Sequence, residues 1–448
     1  MNSTLRIRKK IWMIEMERAK DNFEKEGKEI YKLIERLYPI CRSITGDGVR
    51  ETLDIIKKII PIDIKEVPTG TKVFDWTVPR EWNIKDAYIK NSKGEKIVDF
   101  KKTNLHVLNY SIPINKKMNL KELKQHLFTI PKHPDWIPYR TTYYKENWGF
   151  CLTHNQFKKL KEDTYHVVID STLEKGHLSY GELYLKGKNK DEVLISTYLC
   201  HPSLCNDNLS GVGLTVYVAL LLKQMDLKYS YRFLFIPETI GSITWLSRNE
   251  DKIPNIKHGL VVTCVGDRGD LTYKKSRKGN AAIDIIVEKV LTDSGDKYRT
   301  IDFFPLGSDE RQYSSPGFDL PVGSLMRSFY YDYPEYHTSA DNLEFMSSKH
   351  LGDSLKKYIR VINIIEGNET YINLNPKCEP QLGKRGIYDM IGGEKTVDLT
   401  AAVLWILNLS DGNNSLLDIS IRSKMNFEQI KNAADILISK KLIIPKDG

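Results

Sequence analysis

Histidine and acidic residues of this chain follow apolar runs, at positions where the strands of a parallel sheet would end. His201 follows the apolar run 191–200, and Asp207 lies in the turn Asn-Asp-Asn-Leu-Ser-Gly before an apolar helix. In an open α/β sheet, the crevice at the carboxyl ends of the strands is where ligands bind. An imidazole and a carboxylate that meet there suit a divalent metal ion. The alternative interpretation of the turn is a helix N-cap, because Asp, Asn and Ser all cap helices well.

Later apolar runs also end in residues that could bind a metal ion or move a proton. Two runs end in the carboxylates of Glu238 and Asp267, and His337 lies in the segment Pro-Glu-Tyr-His-Thr-Ser-Ala-Asp after a third run. A single polar residue at a strand end is usually a turn residue. Because parallel strands bring their ends to one edge of a sheet, we expect these side chains to lie in one crevice with His201 and Asp207.

These motifs resemble, in content and order, those of the di-zinc aminopeptidase and glutamate-carboxypeptidase-like superfamily, over about residues 165–370. In that superfamily a histidine comes first, an Asp-Asn-x-Ser-Gly turn bridges two metals, and a His-Thr motif closes the site. The resemblance implies zinc as the cofactor. It also implies four metal ligands and one general base, namely His201, Asp207, Asp267 and His337 as ligands and Glu238 as the base.

The chain departs from the superfamily pattern at Thr239, where relatives have a second glutamate that binds a metal. The site that contains His201 and Asp267, with Asp207 shared, keeps three protein ligands. The site of His337 keeps two, whereas catalytic zinc usually has three protein ligands and a water molecule. The sequence therefore predicts one complete zinc site and leaves a second zinc open.

Five further residues are candidates for contact with a substrate. Glu310 and Arg311 lie in the segment Gly-Ser-Asp-Glu-Arg-Gln, and Glu310 is alternatively the missing metal ligand. Arg42 and Tyr144 lie in two motifs that resemble those of a little-characterised bacterial and archaeal "aminopeptidase-like" family. Tyr336 lies in the last motif of the candidate site. That family resemblance implies a small inserted domain, a C-terminal winged helix, and a role in surface-polysaccharide or secondary-metabolite pathways.

Composition limits the class of protein. With 448 residues the chain is long for one core, so we expect two or three domains, and 28% charged residues is ordinary for a globular protein. We find no secretory signal and expect no membrane span, and the six cysteines are sparse. A cytoplasmic protein with reduced cysteines is therefore expected. The net charge of +9 is spread thinly and does not indicate a nucleic-acid surface.

Changes of pattern along the chain predict four segments. Strands and helices alternate over residues 165–370, which predicts an α/β fold with a mostly parallel, mixed sheet flanked by helices. Residues 1–70 supply the N-terminal part of the same domain. Residues 71–164 lose the helical period and contain dispersed aromatic residues, so we expect a β-rich inserted domain. Residues 371–448 have the helix and strand order of a winged helix.

Two classes of function follow from these patterns. The first is a metal-dependent hydrolase of amide bonds that acts on a small peptide-like or aminoacyl substrate. The second is a weakly active or inactive protein that uses the peptidase fold for binding or regulation, through its winged helix. The third helix of the winged helix carries Glu428, Lys431 and Asp435, a balanced charge that favours packing or protein binding over DNA. Association with a second copy of the chain stays open.

Overall fold

The computed structural model describes residues 23–387 and 397–446. The chain divides into two compact units, Met1–Asp284 with Lys297–Lys356 and Ile285–Asp296 with Lys357–Gly448. Parts of the predicted segments 1–70 and 371–448 lie outside the described residues. In chain order the strands up to residue 326 are β1 Asp63–Pro68, β2 Lys72–Val73, β3 Trp76–Thr77, β4 Glu81–Lys90, β5 Lys96–Asp99, β6 Ile114–Asn119, β7 Leu127–Phe128, β8 Phe150–Cys151, β9 Thr164–Glu174, β10 His177–Leu185, β11 Glu192–Tyr198, β12 Ser230–Ile236, β13 Ile256–Val261, β14 Leu271–Lys274, β15 Tyr298–Ile301 and β16 Val322–Met326.

An eight-stranded mixed sheet forms the centre of the larger unit, in the order β1-β10-β12-β11-β13-β16-β14-β15. Its middle strands β12, β11, β13 and β16 are parallel, and every residue of β11 and β12 is buried. Continuous burial is expected for a parallel sheet that is covered on both faces. The helices up to residue 367 are α1 Glu24–Leu37, α2 Asp47–Lys57, α3 Leu120–Lys124, α4 His154–Lys158, α5 Gly211–Leu222, α6 Ile240–Arg248, α7 Ala282–Ser294, α8 Glu310–Tyr313 and α9 Ser348–Gly367.

The helix α5 is apolar on all sides because it is a core helix. Together with the irregular turn before it, it forms the segment Cys205–Leu222, which is long and apolar enough to cross a membrane, with a mean hydropathy of 1.2. The fold buries 83% of this segment. Its neighbour α1 comes so close that a Cβ on Gly213 would lie 2.9 Å from the side chain of Ile30. Burial therefore accounts for the apolar composition of the segment.

A second, four-stranded antiparallel sheet is inserted into the larger unit, in the order β5-β4-β9-β6. It has a core of its own, in which Ile89, Val98 and Val167 are buried. The strand β9 lies beyond residue 164, where the sequence predicted the end of the insert, and it pairs with both β4 and β6. The insert therefore continues through β9. The residues that follow the predicted boundary form the strands β9 and β10, so no change of hydrophobic period marks the end of the insert.

The smaller unit has the helices and wing of a winged helix. A short sheet, in the order β18-β17-β19, accompanies three helices, and an Asn426 capping box begins the third helix. The Asn426 side chain accepts a main-chain N–H of the first helical turn, which fixes where that helix starts. Its elements are β17 Thr370–Asn373, α10 Val397–Leu409, β18 Asp411–Ser415, α11 Leu416–Ser423, α12 Phe427–Ser439 and β19 Ile443–Pro445.

Candidate metal centre

Three strand ends and one turn bring the predicted metal-binding residues together. The neighbouring parallel strands β11 and β12 end just before His201 and Glu238, and His201 Nε2 lies 3.9 Å from Glu238 Oε2. Asp207 lies in the turn that leads into α5, and His337 lies in the loop after β16. The strand order, rather than sequence proximity, therefore assembles the site.

His201, Asp207 and His337 form a group whose ligand atoms all lie within 4.8 Å of one another. Asp207 Oδ2 lies 2.9 Å from His337 Nε2 and 3.7 Å from His201 Nε2. Neither Asp207 Oδ2 nor His337 Nε2 has a hydrogen-bond partner, although both atoms are buried. Buried polar atoms are normally satisfied, so two such atoms that face each other leave a place for a cation. These three residues fit a metal ion.

The pKa values of these side chains match the forms in which they bind metals. Burial raises the pKa of Asp207, but His201, His337 and Tyr198 together bring it down to about 2. Burial lowers the pKa of His201 to about 4. At neutral pH the carboxyl group is therefore ionised and the imidazole is neutral, which are the protonation states of metal ligands.

Neighbouring residues hold the carboxylate of Asp207 in place. The Tyr198 hydroxyl donates to Asp207 Oδ1 and lies 2.7 Å from Thr263 Oγ1. The main-chain N–H of Asp207 donates to Asp341 Oδ2 over 2.9 Å. Burial raises the pKa of Asp341 to about 8. The motif search did not single out Tyr198, Thr263 or Asp341, although Asp341 ends the same segment as His337.

Asp267 is not a ligand in this arrangement, and this corrects the sequence-based prediction. The strand β13 ends at Val261, so the chain has already turned away before it reaches Asp267. Both carboxylate oxygens of Asp267 are occupied by protein donors, including Asn206 Nδ2 at 2.8 Å and Ser328 Oγ at 2.7 Å. Asp267 therefore fixes the loop around Asn206, the neighbour of Asp207. The group of side chains that fits a metal ion contains His337 instead.

Arg42 is also corrected, from a substrate-binding residue to a structural one. Its side chain is completely buried. Its Nε donates to the carbonyl oxygen of His201 over 2.8 Å, and its Nη1 and Nη2 donate to the carbonyl oxygens of Leu37 and Pro202. A guanidinium group that is saturated and buried in this way cannot reach a substrate. It holds the main chain of the His201 loop.

Glu238 lies beside the ligand group with 26% of its side chain exposed. Burial, followed by the charges of Asp309 and Asp207, raises its pKa well above the ordinary value. Glu238 also forms a second possible metal-binding group with His201 and Cys200. Burial raises the pKa of the Cys200 thiol well above the ordinary value, so this sulfur is a neutral and therefore poor metal ligand. The group that contains Asp207 is the better metal site.

Glu310 neither replaces the missing ligand nor faces a substrate, contrary to both sequence-based interpretations. Glu310 and Lys274 are fully buried, and Lys274 Nζ lies 2.7 Å from Glu310 Oε1. The Tyr330 hydroxyl donates to the same oxygen over 2.8 Å. Because a buried lysine needs a counter-charge, Glu310 is held as its ion-pair partner.

Of the remaining predicted substrate-binding residues, Tyr336 contacts the ligand group directly. Tyr336 stacks on the imidazole of His337, with ring centroids 3.9 Å apart. Arg311 Nη2 donates a hydrogen bond to Thr239 Oγ1 over 3.0 Å. Thr239 directly follows Glu238 in the chain. Tyr144 is 57% exposed. That these three residues bind a substrate stays a prediction.

Tyr139 is one of the dispersed aromatic residues of the predicted insert, and the sequence did not indicate that it lies at the site. Its ring lies 5.1 Å from the rings of both His201 and His337, between centroids. Its main-chain N–H donates to the carbonyl oxygen of His337 over 2.8 Å. Ile137 and Ser339 extend this contact through two more hydrogen bonds. The insert therefore contributes one wall of the candidate metal centre.

The family of the chain follows from its match to a family model. Residues 31–368 match the model of a family described as a domain of unknown function, DUF4910. The chain belongs to this family. Residues 369–445 match a separate model, that of a winged helix-turn-helix. The winged helix that the sequence predicted at the C-terminal end is therefore confirmed.

Relatives of known sequence or structure span nearly the whole chain. A Clostridium acetobutylicum protein, provisionally named as a polysaccharide biosynthesis protein with an aminopeptidase-like domain, is 62% identical over 432 residues, which are 96% of this chain and 99% of that protein. A crystal structure from the same organism, provisionally described as that of a peptidase, matches with a TM-score of 0.92 and 60% identity, over 97% of this chain and 100% of the other. The matches to these two Clostridium proteins therefore span nearly the full length of this chain and of each relative.

More distant solved structures establish the fold. BSAP, a zinc aminopeptidase from Bacillus subtilis, matches with a TM-score of 0.55 at 12% identity, over 76% of this chain and 94% of BSAP. A peptidase M28 precursor from Shewanella amazonensis matches with a TM-score of 0.55 at 13% identity, over 80% of this chain and 97% of the other. The predicted α/β class and the resemblance to zinc aminopeptidases are confirmed at the level of the fold.

Proposed function

We propose that this protein is a metal-dependent hydrolase of amide bonds, with one zinc ion held by His201, Asp207 and His337. The observation that carries the proposal is the pair of unpartnered buried atoms, Asp207 Oδ2 and His337 Nε2, 2.9 Å apart. Two imidazoles and a carboxylate are a usual set of protein ligands for catalytic zinc. The fold that the chain shares with BSAP and the names of its Clostridium relatives support the same class of activity.

The residues around the ligand group have the roles that such a hydrolase needs. Zinc, when bound, lowers the pKa of a water molecule to about 7 and polarises a carbonyl group. The Glu238 carboxylate lies beside the ligand group, where it can take a proton and pass it to the leaving amine. Burial raises the pKa of Glu238, which makes it a stronger base. Tyr198 orients the Asp207 carboxylate through its hydroxyl group.

We infer that the substrate is a small peptide-like or aminoacyl compound. The relative that is 62% identical carries polysaccharide biosynthesis in its provisional name. An amide bond on an amino sugar or on an aminoacylated sugar would connect that name with the candidate centre. The exposed ring of Tyr144 and the stacked ring of Tyr336 offer apolar faces on which a sugar or an apolar side chain can rest.

The metal content of the purified protein tests the proposal. Protein purified without chelators should contain about one equivalent of zinc by elemental analysis, as one three-ligand site implies. The variant His337→Ala should lose this zinc because it removes one of the three ligands. His166→Ala is the matched control, since His166 lies on the small sheet, where its Nε2 is 2.8 Å from Asn115 Oδ1. Wild-type protein without zinc would favour the non-catalytic binding protein.

The role of Glu238 is tested by a variant that keeps its shape. Glu238→Gln should retain zinc while its rate of hydrolysis of aminoacyl anilides falls by about 10²–10⁴-fold, the range for the loss of a general base. The zinc content of the same sample serves as the control. Loss of zinc in this variant would make Glu238 a ligand and would refute its role as the base.

A further inference from the structure

Arg311 carries a positive charge that no carboxylate of the described residues neutralises by direct contact. Its Nη2 donates to the uncharged Thr239 hydroxyl over 3.0 Å, and its Nε is buried without a partner. No ion pair joins it to the neighbouring acidic residues. A half-buried guanidinium group without a counter-ion is costly unless a ligand supplies the missing charge.

The acidic neighbours Asp309 and Glu310 each use one carboxylate oxygen for other donors, and Arg311 does not bond to the second oxygen of either residue. Glu310 forms its ion pair with Lys274. Asp309 Oδ1 accepts the main-chain N–H of Thr239 over 2.7 Å and the Ser242 hydroxyl over 2.8 Å. Burial raises the pKa of Asp309 and so favours the neutral form of this carboxyl group. The fold therefore holds Arg311 close to carboxyl groups without pairing it with them.

The position of Arg311 connects it with the candidate metal centre. Thr239, which it contacts, directly follows Glu238, and Glu238 Oε2 lies 3.9 Å from His201 Nε2. Burial raises the pKa of Glu238, whereas the charge of Arg311 lowers it, so the two groups lie within electrostatic range. Arg311 is therefore hydrogen-bonded to the residue that directly follows Glu238, and Glu238 lies beside the ligand group.

We propose that Arg311 binds a carboxylate of the substrate, so that the site selects compounds with an acidic group next to the scissile amide bond. This inference rests on the proposed hydrolase function, which it narrows to an anionic class of substrate. The planar guanidinium group matches a carboxylate, and Nη1 has no partner among the described residues. The carboxylate can come from the C-terminus of a dipeptide or from an acidic side chain or sugar acid.

Equilibrium binding in the Glu238→Gln background tests the proposal without turnover. Dipeptides with a free C-terminus should bind about 10- to 100-fold more tightly than the matching dipeptide amides, as a charge-assisted hydrogen bond predicts. A third compound, a dipeptide amide with a glutamate side chain, separates the two sources of the carboxylate. Calorimetry or ligand-detected NMR measures all three.

The preference for the carboxylate should disappear in Arg311→Gln. It should persist in part in Arg311→Lys, which keeps the positive charge but loses the planar guanidinium group. Arg277→Gln is the matched control, because Arg277 is exposed and paired with Asp319. The proposal would be overturned if all three compounds bound equally or if none of them bound. It would also be overturned if the preference survived in Arg311→Gln. A preference for the carboxylate in protein that binds no zinc would refute the hydrolase and retain the anion site.

Discussion

A hydroxyl group and two imidazoles converge on one carboxylate, Asp207, and this carboxylate organises the candidate centre. One of its oxygens accepts the Tyr198 hydroxyl, and the other faces His201 and His337 without a hydrogen bond. The hydroxyl fixes the orientation of the carboxylate, so that the free oxygen points at the imidazoles. The role of Tyr198 is therefore one of positioning.

Removal of the Tyr198 hydroxyl should weaken metal binding without loss of the fold. In Tyr198→Phe we expect the zinc affinity to fall by about 10- to 100-fold, the usual effect when a group that orients a ligand is lost. Competition with a chromophoric chelator measures this affinity. Tyr165→Phe is the control, since the Tyr165 hydroxyl donates to the main-chain carbonyl oxygen of Lys161 in the insert. An unchanged affinity in Tyr198→Phe would show that Asp207 needs no such support.

The sequence predicted which histidine and acidic side chains lie at the centre better than it predicted the residues that each side chain contacts. The motifs of His201, Asp207 and His337 are local, and the structure brings these three side chains together. Asp267 was misplaced because the sequence does not show that its strand ends at Val261. Arg42 and Glu310 were misread because their partners, the His201 carbonyl group and Lys274, are far away in the chain. Tertiary contacts of this kind leave no local pattern.

At the scale of the elements, the insert is joined to the larger unit by specific contacts. Arg50 on α2 donates to Glu81 Oε2 on β4 over 3.0 Å, and the main-chain N–H of His177 donates to the same oxygen. Burial alone would raise the pKa of Glu81, but Arg50 and the His177 N–H lower it to about 2. Glu81 is thus ionised at neutral pH.

The pKa of Glu81 predicts a loss of stability in acid. Its folded-state pKa of about 2 lies below the ordinary value of 4.5, so its contribution is complete above about pH 4.5 and is lost as the pH falls towards 2. Glu81→Gln should lower the free energy of unfolding at pH 7 by about 1–3 kcal/mol and flatten its pH dependence over that window. Urea unfolding at several pH values measures both effects.

Asp47→Asn is the matched control for this experiment. Asp47 forms an ion pair with the same arginine, but its side chain is 78% exposed. Exposed ion pairs contribute little, so we expect a change below about 1 kcal/mol. If both variants lowered the free energy of unfolding equally, the stabilisation would come from the Arg50 charge alone and not from the buried hydrogen bonds of Glu81.

At the scale of the whole molecule, one chain contains two units that differ in the order of their helices and strands. The alternation of strands and helices predicted the mixed sheet of the larger unit, and the order of elements predicted the winged helix of the smaller one. The end of the insert was less visible, because β9 leads into the antiparallel strand β10 without a change of composition. Hydrophobic patterns show the class of each element but not which sheet it joins.

The winged helix should not bind DNA specifically. On α12 the one central lysine, Lys431, lies 2.5 Å from Asp435 Oδ1, so its charge is already paired. Binding of the full chain to random duplex DNA at physiological salt should therefore be no tighter than about 10⁻⁴–10⁻⁶ M by fluorescence anisotropy. A variant with both Glu428→Lys and Asp435→Lys should bind more tightly and serves as the positive control. Nanomolar, sequence-selective binding by the wild-type chain would contradict the prediction.

The contact between the insert and the loop of His337 sets the order in which the centre is completed during synthesis. Ile137 emerges from the ribosome 202 residues before Ser339, to which it bonds. At about 5–20 residues per second, this interval lasts about 10–40 seconds. In the later part of that time, after Asp207 has emerged, the nascent chain holds two of the three residues of the proposed ligand group and an unclosed aromatic wall. A product that stops before His337 cannot carry the complete proposed ligand group, so the proposed activity would require a chain in which the larger unit is nearly finished.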